Sequence, residues 1–260
     1  MTESLLTSVE GGVAKLRLNR DRDMNSFDGD TARTIRDAVE SFAKDDAVRV
    51  LVVGGEGRAF SAGGDFNWVL TWPGLDAITR HAGADALMSA VQAIYDFPKP
   101  SIARVHGAAV GGGVGLMLAC DFAIAASTAR FGLTSVRNGL LAGIAIPVLI
   151  EAVGPRMARQ LLMHGGTFDA ATALRIGLVD QVVDPDALDT TVATLAQELR
   201  LGAPSVQTLA KKLVSQIAAL PHDADTADML GKHIANQSVT EDAQEGMSAF
   251  LAKRKPRWAV

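Results

Sequence analysis

Two glycine-rich stretches constrain this chain more than anything else in it: Ser61-Ala-Gly-Gly-Asp65 and Gly111-Gly-Gly-Val-Gly115. Each follows a segment that reads as a strand and precedes one that reads as a helix. The first is preceded by the β-branched run Val48 to Val53, which ends in Gly54-Gly55 and has the pattern of a buried strand. The second is preceded by Ser101 to Val105 and followed by a short apolar helix near 113–120. Glycine lets a backbone approach a ligand with no Cβ in the way. A helix N-terminus adds unpaired N–H groups and a partial positive charge. Two such loops on neighbouring parallel strands can aim two donors at one oxygen, an arrangement that suits an enolate or a tetrahedral intermediate. Spacing alone leaves a second reading open, because close helix–strand packing also selects glycine.

The surrounding pattern extends the first third into alternating strands and helices. Ala14, Leu16 and Leu18 alternate with Lys15 and Arg17 as a half-exposed strand does. Ile35, Val39 and Phe42 recur at helical spacing, with Asp28 or Asp30 as the cap. A helix is predicted over 75–96, stopped by Pro98 and Pro100, and Phe122 to Ala126 reads as a further strand. Strand, glycine loop and helix thus recur at a period of about 50 residues, which suggests a spiral of similar layers. The last third is mainly helical, with segments at 155–164, 170–177, 186–201, 205–219 and 241–253, and a loop or helix start over 221–231.

Several function classes are excluded or unsupported. The 260 residues carry a net charge of −4 and 5% aromatics, so neither a basic footprint nor a stacking surface for nucleic acid is expected. The longest uncharged apolar stretch, Gly107 to Cys120, is too short to span a bilayer. A single cysteine, Cys120, rules out an internal disulfide, and together with the absence of a basic, apolar leader at the N-terminus it points to the cytoplasm. The five histidines do not cluster, so no metal site is expected. No Walker A loop, dinucleotide fingerprint or nucleophile elbow is present. His106 reads as a hydrogen-bonded structural histidine rather than an acid or base, and Asp65 and Asp121 as turn or helix anchors.

The stretches AFSAGGDF (59–66), HGAAVGGGVGLMLACDFAIAA (106–126), FGLTSVRNGL (131–140) and FLAKRKPRW (250–258) resemble the enoyl-CoA hydratase/isomerase (crotonase) family. The resemblance covers essentially the whole chain. It implies an α/β crotonase-like spiral of repeated ββα units over residues 1–200, with a helical region over 201–260 that caps the site and builds a trimer or a dimer of trimers. It implies a coenzyme A thioester as substrate, with no further cofactor, membrane or nucleic-acid partner. By that resemblance the oxyanion donors are the N–H groups of Gly64 and Gly112. Arg22, Ala62, Asp65 and Lys253 fall where the family meets the CoA nucleotide.

One departure from the family pattern matters chemically. Hydratases of the family carry two glutamates at positions that here hold Gly115 and Ser135. Water addition needs one carboxylate to deprotonate the water and another to deliver a proton. Glycine offers no side chain, and an unactivated serine is a poor base. Three expectations follow. A relocated group (His81, Asp85, Tyr95 or Arg137) performs the proton step, with the space beside Gly115 admitting a bulky acyl group. Alternatively a bound anion or the substrate's own carboxylate is the base, with Arg137 as anchor. In the third, the protein binds acyl-CoA without turnover.

Overall fold

Gly11 and Gly12, at φ +54° and +79°, turn the chain between β1 (Leu5–Glu10) and β2 (Val13–Leu18), an antiparallel hairpin in a computed structural model that describes residues 3–259. Asp28 caps α1 (Gly29–Lys44), accepting the Thr31 N–H at 2.8 Å, and the helix buries the Ile35, Val39 and Phe42 stripe. In β3 (Val50–Gly55) every residue is buried, as the unbroken apolar run requires of a central parallel strand. Then follow α2 (Phe66–Val69), α3 (Ala77–Tyr95), β4 (Ser101–Val105), β5 (Ala108–Val110) and α4 (Gly112–Leu118). After β6 (Phe122–Ala126) and β7 (Arg130–Gly132) an irregular stretch leads to α5 (Ile146–His164). The chain continues through β8 (Thr167–Asp169), α6 (Ala170–Arg175), β9 (Gln181–Val183) and α7 (Leu188–Leu199). It finishes with α8 (Pro204–Ile217), α9 (Ala224–Ser238) and α10 (Glu241–Leu251).

The six-stranded sheet runs β1-β2-β3-β4-β6-β9, parallel from β2 onward, and a smaller sheet runs β5-β7-β8. Two isolated parallel bridges, Phe27 with Gly64 and Ser61 with Ala109, continue the smaller sheet backward into the loops. Successive turns of the chain therefore give one segment to each sheet, and this is the expected α/β crotonase spiral. The principal core fills the interior, and a second cluster (Val50, Val52, Ile102, Ile124 with Leu188, Val192, Ala196) seats α7 on the large sheet's outer face.

Two helices exceed the sequence reading. The helix expected over 155–164 is present as the second half of α5, and a further helical segment from Ile146 precedes it across a break at Gly154, which takes φ +74° ahead of Pro155. The segment 221–231, readable as a loop or a helix start, is the latter: it holds the cap and the first half of α9, with the Asp223 carboxylate accepting the Thr226 N–H at 3.0 Å. Among the described residues no helix is long and apolar enough to cross a membrane, and no group of three metal-ligating side chains forms.

Candidate active site

The first glycine loop is bonded into place on both flanks of Gly64. Phe27 N–H donates to Gly63 O at 2.8 Å, and Asp65 N–H donates to Phe27 O at 3.0 Å. In a parallel bridge of this kind the residue between the two bonds turns its own peptide groups to the other side, so the Gly64 N–H faces away from Phe27. Ser61 fixes the second loop, its N–H on Ala108 O and its carbonyl accepting from Val110 N–H, each at 3.0 Å. The Ser61 hydroxyl donates to Asn25 O at 2.8 Å and accepts the Gly63 N–H at 3.1 Å. Asn25, fully buried at φ +56°, accepts from Arg20 N–H and donates to Glu56 O and Ala59 O.

The two loops then meet at glycine. Gly63 has φ +84°, and a Cβ added there would stand 2.5 Å from Gly112 N and 2.8 Å from Val110 O. Gly112 is the first residue of α4, so its N–H has no acceptor within the helix. Among the described residues neither the Gly64 nor the Gly112 N–H has a protein acceptor. The fold thus leaves two peptide donors free on adjoining loops, one of them at a helix N-terminus.

The positions of the missing carboxylates lie beside this pair. Ser135 sits in a short 3-10 turn (Thr134–Asn138), and its Oγ is 3.3 Å from where a Gly111 Cβ would be. Gly115 is three residues beyond Gly112, on the same face of α4. The expected empty space there is absent. A Cβ on Gly115 would lie 3.3 Å from Ile144 O and from Ala145 Cα, because a second 3-10 turn (Gly143–Ala145) runs along this face of α4. A Cβ on Gly112 would lie 2.6 Å from Ile144 Cδ1. The void that the glycine was expected to leave is filled by this backbone.

The candidate substitute groups each have another partner. His81 and Asp85 pair with each other at 3.3 Å on the exposed face of α3. Arg137 turns to the end of α5, its Nε donating to His164 O at 3.4 Å. Tyr95 lies between α5 and α8. The Ser215 hydroxyl draws its pKa down, but burial and the Glu151 carboxylate outweigh that and leave it raised.

Of the residues aligned with CoA contacts, Asp65 is spent on structure. One carboxylate oxygen caps α2 through Asn67 and Trp68, and the other accepts from Arg20 Nη2 at 2.8 Å. Ala62 N–H donates to Met24 O, and the Arg22 carbonyl accepts from Arg58, which keeps both on the loops beside Gly63. Lys253 follows α10 at φ +53°, its N–H on Phe250 O. His106 is a strut: Arg104 has only donors to offer its Nδ1 (2.9 Å), so the neutral Nε2–H donates to Gly57 O at 2.9 Å. Burial, reinforced by the Arg104 charge, lowers its pKa.

Comparisons with known proteins give the family. The enoyl-CoA hydratase/isomerase family model matches residues 8–260. A crotonyl-CoA hydratase of Syntrophomonas wolfei is 35% identical over 260 residues, spanning 97% of this chain and 96% of that one. A carnitinyl-CoA dehydratase of Citrobacter koseri is 32% identical, with 99% of each chain covered. The crystal structure of an enoyl-CoA hydratase from Shewanella pealeana superposes with a TM-score of 0.94 at 32% identity, covering 98% of this chain and 96% of that one. The chain belongs to the enoyl-CoA hydratase/isomerase family. It is an enzyme of the lyase/isomerase type acting on CoA thioesters.

Proposed function

We propose that the protein holds the carbonyl oxygen of an acyl-CoA thioester on the N–H groups of Gly64 and Gly112 and stabilises the enolate formed there, using a base that arrives with the substrate or as a bound anion. The observation that carries this reading is the pair of unsatisfied peptide donors on two hydrogen-bonded glycine loops, with no carboxylate at Gly115 or Ser135. Negative charge that develops on the thioester oxygen meets donors already in place, so little reorganisation opposes the reaction. The α-proton then passes to the substrate's own carboxylate or to bicarbonate; the protein's candidate groups are engaged otherwise, His81 with Asp85, Arg137 with the His164 carbonyl, Tyr95 beside Glu151, and Asp65 with Arg20. Ordinary hydration, which needs two protein carboxylates, is not this site's reaction. No additional cofactor enters this scheme, and a homotrimer or dimer of trimers is the assembly that goes with it.

The test is α-hydrogen exchange in D2O, read by mass, across enoyl-, β-ketoacyl-, dicarboxyl- and simple acyl-CoA thioesters, with and without bicarbonate. Exchange confined to carboxylate-bearing thioesters, or dependent on bicarbonate, is the expected result. Hydration of crotonyl-CoA at an ordinary enzymic rate would refute the base assignment. Tight binding with no exchange anywhere would overturn this reading in favour of acyl-CoA binding without turnover.

A further inference from the structure

Ile144 touches two things at once. Its Cδ1 lies over Gly112, where an added Cβ would be 2.6 Å away, and its side chain also walls a cavity of about 160 Å³ between α3 and α5. Met88, Val91, Gln92 and Tyr95 form the α3 wall at i, i+3, i+4 and i+7, a single helix face. Pro147, Val148 and Glu151 form the α5 wall. The end next to Ile144 is apolar, and Tyr95 with Glu151 close the far end. A cavity of about 150 Å³ with apolar walls admits a benzene-sized guest.

The segment that carries Ile144 is weakly tied. The N–H groups of Gly139 and Leu140 bond to Val136 O and Ser135 O, and Ala145 N–H bonds to Ala142 O. Among the described residues, the bonds given for 139–145 outside the helices run to the preceding 3-10 turn and within the segment itself. Gly139, at φ +72°, and Gly143 punctuate it, and Leu141 is 79% exposed. Side-chain packing at Ala142, Ile144 and Ala145 is what seats it.

We propose that Ile144 is a specificity-determining gate between the Gly112 N–H and the α3–α5 groove, and that the groove takes a short apolar acyl group of about six carbons from the thioester. This rests on the reading of Gly64 and Gly112 given above. A thioester oxygen on Gly112 places the acyl chain against Ile144. Swinging the 139–145 segment outward about its Gly139 end, where its N–H groups bond to the 3-10 turn at Val136 and Ser135, opens the apolar end of the groove.

The test is calorimetric binding of saturated acetyl-, butyryl-, hexanoyl-, octanoyl- and decanoyl-CoA, none of which needs to react. Each added methylene that enters the groove is expected to tighten binding about fourfold, from the burial of one CH2. The gain should stop near six to eight carbons. In Ile144→Ala the hexanoyl-to-acetyl affinity ratio should rise about tenfold, because the chain no longer displaces the gate. Met88→Trp, at a partly exposed groove position, should cut the same ratio about tenfold. Acetyl- and hexanoyl-CoA binding equally, or both variants keeping the wild-type ratio, would overturn the gate while leaving the oxyanion reading intact. No binding of any thioester, acetyl-CoA included, would overturn the oxyanion reading and the gate with it.

Discussion

The glycine loops at 59–64 and 107–113 and the connection at 139–145 border the same few ångströms of the molecule, yet they are held in opposite ways. The loops are cross-bonded to each other and to the 20–27 turn, and they meet at contacts that tolerate no Cβ. The connection bonds to the 3-10 turn just before it and to itself, and otherwise rests on side-chain packing. The lesson is a division of labour. The groups that meet developing charge are fixed, which electrostatic stabilisation requires. The group that meets the variable acyl chain is free to yield.

The contrast can be broken most severely at Gly63. Gly63→Ala puts a Cβ onto Gly112 N at a left-handed backbone position, with an expected loss of about 3 kcal/mol in urea denaturation and no remaining thioester affinity. Stability and affinity close to wild type would show that the loops are not locked. Gly64→Pro is next. The Gly64 N–H takes no part in the loop's own bonding, so its removal spares the bridge to Phe27 and is expected to slow α-hydrogen exchange by about 10²–10³.

His106 gives a pH-dependent reading of the same rigidity. Its folded pKa lies below the ordinary 6.5 because it is buried beside Arg104. Below pH 6.5 the unfolded chain takes up a proton that the fold resists, so stability falls as pH drops from 6.5 to the lowered value and then levels. His106→Gln should remove that component from the pH profile of urea unfolding, and an unchanged profile would place the sensitivity elsewhere. The smallest effect is expected in the yielding segment. Leu141→Ala should change stability by less than about 0.5 kcal/mol, and a loss above about 2 kcal/mol would mean the segment is packed harder than its hydrogen bonds imply.

The loops were legible in the sequence for a physical reason: glycine after a strand and before a helix has few uses. The buried run of β3 and the capped stripe of α1 were equally plain. The three-residue strands β5, β7, β8 and β9 were not, because a periodicity cannot be seen in three residues. In β1 only Leu5 is buried, so no alternation marked it. The filled space at Gly115 was illegible because the residues that fill it, Ile144 and Ala145, come about 30 positions later on an irregular segment. His81 and Arg137 lie near the site in sequence, but His81 is paired with Asp85 and Arg137 with the His164 carbonyl, a partner that no local pattern reveals.

The most direct measurement removes the oxygen from the ligand and the donor from the protein in one cycle. Acetyl-CoA and its carbonyl-free thioether, S-ethyl-CoA, are compared in binding to the wild type and to Gly64→Pro. Two hydrogen bonds of about tenfold each predict that the wild type prefers the thioester by about a hundredfold. The account predicts that this preference falls about tenfold in Gly64→Pro, the Gly112 donor supplying the rest. An equal preference in both proteins would contradict it.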